Sequence, residues 1–237
     1  MIAVILAGGL GVRLKPYTIT LPKPLVPVGE EPIMKILLNS LKQQGIKEVV
    51  ICVNHMCELI EAYFGNGSGV GLKIRYSRET KPLGTVAPIK LVQGLPDDFL
   101  VMNGDIMTDL SLRKLFYEHK TNDAIMTVAT YKRKVHIDYG VIKYDADYVV
   151  YSFIEKPDQY VDVSMGIYAF NKRVFEYVPE NNYFGFDNLM HKLLENGEKV
   201  KTFEHHGYWL DIGRPEDYEK ANEDVARVMN QSLQKAQ

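Results

Sequence analysis

Short apolar runs alternate with segments of helical periodicity along the first half of the chain, which indicates a βαβ arrangement. The first run, residues 2–7 (IAVILA), is apolar throughout, as is typical of a strand buried on both faces. A helix is predicted from Pro32 to just before Gly45, because apolar residues recur there on one helical stripe. Further strands are predicted at EVVICV, LKIRYS and FLVM, and further helices at MCELIEAYF and at LRKLFYEHK, which Ser111 would cap.

The pattern changes at residue 124, where four strand-like runs follow one another with little helix between them: AIMTVATYKR, YGVIKY, YVVYSFIEK and DVSMGIYAF. Helices return at FDNLMHKLLENGE and at the segment that Pro215 opens, with strand-like KVKTFE and YWLDIG between them. We expect one domain over residues 1–237. It would have an N-terminal half at about 1–123, a more antiparallel half at about 124–214 and a C-terminal helix at about 215–232.

The composition narrows the classes of function. The chain has 237 residues, 46% of them hydrophobic and 24% charged, which suffices for one sizeable core. The net charge of −2 and the absence of a basic run argue against a nucleic-acid partner. No apolar stretch approaches the ~20 residues of a membrane span, and the N-terminal run lacks the basic flank of a signal peptide. We therefore expect a soluble cytoplasmic protein.

The two cysteines, Cys52 and Cys57, do not predict a metal site, because His55 alone does not complete a set of ligands. Cys52 lies in an apolar run and is expected to pack in the core. A low cysteine content fits a reducing compartment.

A glycine-rich loop, residues 7–16 (AGGLGVRLKP), follows the first predicted strand. Its glycines would let the backbone N–H groups approach an anion closely, although such a loop can also be only a tight turn. A dinucleotide-binding GxGxxG motif would need glycine where Leu14 stands and an immediate helix, which Pro16 prevents. No GK[ST] follows, so the loop is not that of a P-loop NTPase.

Several ordered motifs resemble those of the sugar-1-phosphate nucleotidyltransferases, and in particular the mannose- and heptose-1-phosphate guanylyltransferases. They are the LAGGxGxRLxP…PKP signature at 6–24, NGD at 103–105, YGV at 139–141, EKP at 155–157, GIYAF at 166–170 and WLDIG at 209–213. The resemblance implies a Rossmann-like, three-layer α/β fold of the nucleotidyltransferase A type, with a mixed, mostly parallel sheet and an additional small antiparallel sheet. It also implies transfer of a nucleoside monophosphate from an NTP to a sugar 1-phosphate, with release of pyrophosphate.

The resemblance assigns roles to individual residues. Arg13 and Lys23 would be catalytic, holding the leaving phosphates and the α-phosphate, and Asp105 and Asp211 would bind Mg²⁺. The nucleotide would be bound by Leu6, Ala7, Gly8, Gly9, Gly11, Arg13, Glu79, Pro82, Gly84, Thr85, Asn103 and Gly104. The sugar phosphate would be bound by Tyr139, Gly140, Glu155, Lys156, Gly166 and Asp187.

Plainer interpretations exist for several of these residues. Lys23 could be a solvated surface lysine, and Glu79 an exposed glutamate. Asp105 could form a turn or cap a helix, and Asp211 and Asp187 could cap the helices that follow them. The tyrosines at 139, 168 and 208 are more typical of core and rim positions.

The match has departures that leave the substrates open. Val12 stands where the family usually has Thr or Ser, residues 86–88 read VAP, and Ser164-Met165 replaces a usual Asn-containing pair. GTP is the preferred nucleotide, because the Gly84-Thr85 loop and Glu79 resemble the base-binding segment of guanylyltransferases, where Glu79 could accept hydrogen bonds from guanine. CTP, UTP or dTTP, a phosphorylated acceptor that is not a sugar, and a catalytically weak regulatory protein remain alternatives.

Glycan assembly at the cell surface, such as capsule or lipopolysaccharide, is the expected context. The sequence shows no hexapeptide repeats of the kind that build a left-handed β-helix, so acyltransferase activity is not expected. A homodimer is compatible with the sequence, and the C-terminal helix could pack in one.

Overall fold

A computed structural model describes the backbone of residues 1–234 and the side chains of residues 1–225. Its helices are α1 (Ile33–Gln43), α2 (Cys57–Phe64), α3 (Ala87–Lys90), α4 (Leu112–Thr121), α5 (Phe186–Glu195) and α6 (Pro215–Gln234). Its strands are β1 (Ile2–Leu6), β2 (Pro27–Val28), β3 (Glu31–Pro32), β4 (Glu48–Val53), β5 (Lys73–Arg78), β6 (Asp98–Asn103), β7 (Ile106–Thr108), β8 (Met126–His136), β9 (Val141–Tyr144), β10 (Val150–Ile154), β11 (Asp158–Asn171), β12 (Val200–His205) and β13 (Trp209–Asp211).

The central sheet has seven strands in the order β12-β8-β11-β6-β1-β4-β5. Strand β11 is antiparallel to both of its neighbours, and every other pairing is parallel. Three antiparallel two-stranded pairs, β2–β3, β7–β13 and β9–β10, accompany it. The expected mixed, mostly parallel α/β fold with additional small antiparallel sheets is therefore confirmed.

Side chains of β1 alternate between two cores, one on each face of the sheet. Ala3 and Ile5 pack against α1, α2 and α4, whereas Val4 packs on the other face, where α3 and α5 lie. This alternation explains the uninterrupted apolar run and confirms that β1 is buried on both faces. A third cluster joins the first half of α6 to α1 and to the β7–β13 pair.

Most local predictions are confirmed, with small shifts at the ends of elements. The Ser111 side chain accepts a hydrogen bond from Lys114 N at 3.4 Å, so it caps α4. Pro32 is the N-cap of α1 and not its first helical residue. Cys52 is buried as expected, and burial raises the pKa of its thiol to about 12. The expectation that α6 packs in a dimer depends largely on side chains beyond Val225, which lie outside the described residues.

Candidate active site

The predicted nucleotide residues lie where the strand order reverses direction. Strand β1 is followed by β4 and β5 on one side of the sheet, whereas β6 lies on its other side. The carboxyl ends of the strands at such a point flank a crevice, and ligands of open α/β sheets bind there. Both the loop after β1 and the segment 103–105 begin at this crevice, and Gly104 N donates a hydrogen bond to Leu6 O at 3.0 Å.

The glycine-rich loop is held in a compact shape by short-range contacts. Gly11 has a φ of +62°, and a Cβ there would lie 2.8 Å from the Thr18 side chain. Thr18 is buried and donates a hydrogen bond to Gly11 O at 2.8 Å. A left-handed backbone and this close approach both require glycine. The loop contains 3₁₀ turns and no α-helix, which agrees with the exclusion of a dinucleotide-binding motif.

Lys23 and Asp105 form an ion pair although they are far apart in sequence. Their side chains are only 12% and 21% exposed, so the interpretation of Lys23 as a solvated surface lysine is wrong. Lys23 begins a 3₁₀ turn after Pro22. Asp105 occupies the turn between β6 and β7, so the turn-forming interpretation holds, but the carboxylate also pairs with Lys23.

Asp211 is brought beside Asp105 by the antiparallel pairing of β13 with β7. Asp211 is opposite Ile106 in this pair, and Ile212 N donates a hydrogen bond to Asp105 O at 3.0 Å. Asp211 is the last residue of a strand, and α6 begins only at Pro215, so Asp211 does not cap that helix. The two predicted metal ligands are therefore neighbours.

The two neighbouring carboxylates, Asp105 and Asp211, repel each other when no metal ion lies between them. Burial, and then repulsion by the Asp105 carboxylate, raise the pKa of Asp211 above its ordinary value. Lys23 and Arg13 oppose this shift, so both cations act on the same carboxylate. A Cβ at Gly213 would lie 3.4 Å from the Arg13 guanidinium, which places Arg13 next to the segment that follows Asp211.

The residues fit a hard divalent cation. Asp105 Oδ1 is buried and has no hydrogen-bond partner, although its other oxygen pairs with Lys23. Such an oxygen needs a proton or a positive charge, and Mg²⁺ is bound by carboxylate oxygens of this kind. No group of three potential His, Cys, Asp or Glu ligands occurs among the described residues, so substrate phosphates and water would complete the coordination.

Glu79 lies on the other side of the glycine-rich loop, after β5. Its Oε2 accepts a hydrogen bond from Leu83 N at 2.8 Å, and a Cβ at Gly8 would lie 2.7 Å from its Oε1. The interpretation of Glu79 as a plain exposed glutamate is therefore wrong, because it is partly buried and tied to its own loop. Its Oε1 therefore lies close to Gly8 of the glycine-rich loop.

The rest of the predicted base loop is anchored to the start of α5. Thr85 Oγ1 accepts a hydrogen bond from Phe186 N at 2.9 Å, and Gly84 packs on the backbone of Phe184. Pro82 and Thr85 are exposed. A cavity of about 190 Å³ lies here, lined by Leu6, Thr85, Val86, Ile89, Val101, Asn103, Tyr168, Phe170 and Phe186. Its lining includes three predicted nucleotide residues, Leu6, Thr85 and Asn103.

A larger cavity, of about 410 Å³, lies between α1 and β7. Its lining includes Met102, Ile106 and Met107 but none of the predicted substrate-binding residues. The chemistry of the crevice, and not cavity size, therefore locates the candidate site.

Within the predicted sugar-phosphate set, Gly166 contacts a predicted nucleotide residue, and Asp187 lies on α5. Gly166 has a φ of +70° in β11, and a Cβ there would lie 2.5 Å from Asn103 Nδ2, so it packs directly on the nucleotide side. Asp187 lies in the first turn of α5. It is not the N-cap of α5, because Gly185 occupies that position and Asn188 Oδ1 accepts the Gly185 N–H at 2.8 Å.

The other four predicted sugar residues lie at the base of the β9–β10 hairpin, directly before β9 or directly after β10. Gly140 is beside Glu155, since a Cβ at Gly140 would lie 3.1 Å from Glu155 Oε2. Tyr139, Glu155 and Lys156 are exposed, and Lys156 has an uncommon φ of +45°. Among the described residues, no hydrogen bond or ion pair joins this group to the Asp105–Asp211 pair.

Sequence reasoning assigned no role to Thr18 or Phe186. Tyr168 is buried, as its expected core or rim position implies, and its ring stacks on that of Phe186 with centroids 4.3 Å apart. Thr18 belongs to the same signature as Arg13 and Lys23, so its position in that motif was the available signal. Nothing in the local sequence indicates the aromatic stack, because its members come from different elements.

Comparisons with known proteins agree on one family. The family described as Nucleotidyl transferase matches residues 2–228. The chain is 36% identical over 224 residues to D-glycero-alpha-D-manno-heptose 1-phosphate guanylyltransferase of Campylobacter jejuni, covering 92% of this chain and 97% of that protein. It is 32% identical over 257 residues to UTP--glucose-1-phosphate uridylyltransferase of Synechocystis, covering 100% of this chain and 66% of that protein.

The fold agrees with this result. HddC from Yersinia pseudotuberculosis, crystallised in complex with GMP-PN, superposes with a TM-score of 0.71 at 29% identity, covering 94% of this chain and 99% of that chain. The chain spans 60–66% of the length of several longer curated relatives that it matches. No described helix of the chain is both long and apolar enough to cross a membrane.

The strained carboxylate pair predicts how Asp211→Asn behaves. A neutral amide removes the buried repulsion, so the metal-free variant should be more stable than wild type by about 1 kcal/mol, or roughly 2–4 °C in Tm. Because the folded state raises the pKa of Asp211, metal-free wild type should lose stability as pH rises through that titration, and the variant should not. Thermal unfolding with and without Mg²⁺ checks both effects.

The control is Asp123→Asn, because Asp123 is 91% exposed and lies in the turn between α4 and β8. In this control the pH dependence and any stabilisation by Mg²⁺ should stay as in wild type. A destabilised Asp211→Asn variant that still gains stability from Mg²⁺ would contradict the assignment.

Proposed function

The chain belongs to the nucleotidyl transferase family, and we propose that it transfers a nucleoside monophosphate from an NTP to a sugar 1-phosphate, giving an NDP-sugar and pyrophosphate. The observation that carries this proposal is the meeting of Asp105, Asp211, Lys23 and Arg13 beside the glycine-rich loop. Two carboxylates and two cations at the end of parallel strands suit a polyphosphate and its metal ion.

In the proposed reaction, a phosphate oxygen of the sugar 1-phosphate attacks the α-phosphorus, and pyrophosphate leaves in line. Lys23 would exchange part of its pairing with Asp105 for an oxygen of the α-phosphate. Arg13 would hold the β- and γ-phosphates, because a guanidinium fork matches phosphate oxygens. Mg²⁺, held by Asp105 and Asp211, would neutralise charge on the phosphates. Catalysis would then consist mainly of positioning and electrostatic stabilisation.

GTP is the proposed nucleotide. Glu79 Oε2 is held by Leu83 N, so its other oxygen is oriented toward Gly8 and could accept a hydrogen bond from guanine. The similarity to a heptose 1-phosphate guanylyltransferase supports this choice. The similarity to a uridylyltransferase keeps UTP as a competitor, and CTP and dTTP remain further alternatives.

The acceptor is proposed to be a mannose-like or heptose-like sugar 1-phosphate for the assembly of surface glycans, in the cytoplasm. Gly166 packs on Asn103 at the crevice, and Asp187 would contribute from the first turn of α5. Tyr139, Gly140, Glu155 and Lys156 would contribute from the base of the hairpin. Lys156 would pair with the phosphate, and Glu155 would accept hydrogen bonds from sugar hydroxyls.

The test is a matrix of reactions. Purified protein with Mg²⁺ is incubated with ATP, GTP, CTP, UTP or dTTP and with a panel of sugar 1-phosphates, and pyrophosphate release is followed. Release that requires GTP and one sugar 1-phosphate would support the full proposal, and release with another NTP would correct the nucleotide alone. Folded protein that binds a nucleotide but releases no pyrophosphate with any pair would contradict the proposed reaction.

We expect Lys23→Ala to reduce kcat about a hundredfold or more, since one preorganised contact to the reacting phosphate contributes on the order of 3 kcal/mol to the barrier. Lys15→Ala is the matched control, because Lys15 is an exposed lysine of the same loop. Circular dichroism should show that both variants fold. Wild-type kcat in folded Lys23→Ala would remove Lys23 from the mechanism.

We expect Glu79→Gln to raise KM for GTP about tenfold and to leave KM for UTP unchanged. Glutamine can still accept the Leu83 N–H through its carbonyl oxygen, so the loop should keep its shape, whereas the acceptor facing guanine becomes a donor. Glu195→Gln on the exposed side of α5 is the control. Equal changes in KM for both nucleotides would refute a base contact.

A further inference from the structure

Asp109 and His205 form a pair at the end of the β7–β13 ribbon that lies away from the two carboxylates of the candidate site. Asp109 directly follows β7, and His205 is the last residue of β12. His205 Nε2 lies 3.0 Å from Asp109 Oδ1, and each side chain is only 11% exposed. The same carboxylate oxygen accepts a hydrogen bond from Tyr208 N at 2.7 Å. The pair is therefore part of the folded framework and not a surface contact.

The partners of His205 determine which ring nitrogen carries a proton. Its Nε2 also lies 3.2 Å from Tyr208 O, a carbonyl oxygen that can only accept a hydrogen bond. Asp109 Oδ1 already accepts the Tyr208 N–H, so it is an acceptor too. We therefore assign the proton to Nε2, which donates to both oxygens. Without this N–H, a carboxylate and a carbonyl would lose their common donor in a partly buried place.

Several donors meet at Tyr208 O. Besides His205 Nε2, this oxygen accepts hydrogen bonds from Thr108 Oγ1 at 2.7 Å and from Asp109 N at 3.2 Å. Gly207 passes close to the pair, since a Cβ there would overlap Asp109 Oδ1 and lie 2.8 Å from His205 Cε1. Only glycine permits so close an approach. We call Thr108, Asp109, His205 and Tyr208 the ribbon clamp.

The β7–β13 ribbon is short, so its register needs support from outside the two strands. Each strand has three residues, and a two-stranded ribbon alone is marginally stable in water. A slip of one residue would turn every side chain of a strand to the other face. In the observed register Asp211 is opposite Ile106 and next to Asp105. A slip would therefore turn the Asp211 carboxylate away from that of Asp105.

His205 connects this ribbon to the central sheet. It is paired with Tyr131 at the end of β12, an edge strand held by six residue pairs along β8. The ribbon clamp therefore ties the start of β13 to the central sheet. At the other end of the ribbon, Ile212 N donates a hydrogen bond to Asp105 O at 3.0 Å. Strand β13 is thus fixed at both of its ends.

We propose that Asp109 and His205 are positioning residues for the metal site, because they fix the register of β13 and so hold Asp211 beside Asp105. This role rests on the proposed function, in which these two carboxylates bind Mg²⁺. The pair is not a metal site of its own, since among the described residues no third His, Cys, Asp or Glu joins it. Loss of a group that orients metal ligands commonly weakens metal binding by about 10–100-fold.

The variants His205→Phe and His205→Gln test the proposal. Phenylalanine keeps a ring and removes the N–H, whereas the glutamine amide can still donate to Asp109 and to Tyr208 O. In folded His205→Phe, the Mg²⁺ concentration that produces a given rise in Tm should be about tenfold higher than in wild type. His205→Gln should behave as wild type. His206→Phe is the matched control, because His206 is adjacent in sequence and 77% exposed.

A second measurement needs no metal ion. The cross-strand NOE between backbone protons of Asp211 and Ile106 reports the register of the ribbon in NMR spectra. It should be strong in wild type, in His205→Gln and in His206→Phe, and weak or absent in His205→Phe. If wild type gains no stability from Mg²⁺, the metal assignment of the proposed function fails, and this NOE alone decides whether the ribbon clamp holds Asp211 in place.

An unchanged NOE in folded His205→Phe would overturn the proposal. An unchanged Mg²⁺ dependence, in a chain whose wild type responds to Mg²⁺, would overturn it as well. A lower Tm without either change would show a purely structural role. If His205→Phe does not fold, Thr108→Val decides by the same two measurements, because it removes another donor to Tyr208 O, and Thr108→Ser is its conservative counterpart. Wild-type behaviour of folded Thr108→Val would then overturn the proposal.

Discussion

Two carboxylates placed side by side are the constraint on which the candidate site depends. Asp105 and Asp211 are partly buried, and burial together with the neighbouring Asp105 carboxylate raises the pKa of Asp211. Lys23, which forms an ion pair with Asp105, and the nearby positive charge of Arg13 both offset the repulsion between the two carboxylates. Even so, one oxygen of Asp105 remains buried without a hydrogen-bond partner. This arrangement costs stability in the free protein, and the proposed cation and phosphates would relieve that cost. A buried carboxylate oxygen without a hydrogen-bond partner is more typical of a binding site than of a structural ion-pair network.

The fold determines that these groups can meet. Strands β1 and β6 are adjacent at the point where strand order reverses, so their loops share one crevice. The β7–β13 pair then brings a residue from near the end of the described chain to the same place. Glu79 and the loop after it close the opposite side of the crevice, since that loop is anchored to α5. The strands and helices that carry these residues are held in place by their own apolar side chains in the core.

Features that depend on local sequence could be predicted. The apolar run of β1, the glycine-rich loop after it and the Ser111 cap follow from periodicity and from side-chain capping chemistry. The neighbourhood of Asp105 and Asp211 could be expected only from the order of family motifs, because the pairing that joins them spans about a hundred residues.

Features set by tertiary contacts could not be predicted. The burial of Lys23 depends on a carboxylate 82 residues away. Gly185, and not Asp187, is the N-cap of α5, because the Gly185 N–H donates a hydrogen bond to Asn188 Oδ1. The four strand-like runs after residue 124 predicted strands, but nothing in their alternation indicated that β9 and β10 would leave the central sheet. Their apolar residues would have suited a core equally well.

A crystal structure of the chain with Mg²⁺ and a non-hydrolysable GTP analogue would test the proposed roles of Asp105, Asp211 and Lys23 most directly. We expect one cation between Asp105 and Asp211 that also contacts a phosphate oxygen, with Lys23 moved from Asp105 toward the α-phosphate. These roles are contradicted by a structure in which the nucleotide occupies the crevice while Lys23 keeps its ion pair with Asp105 and no cation lies between the two carboxylates.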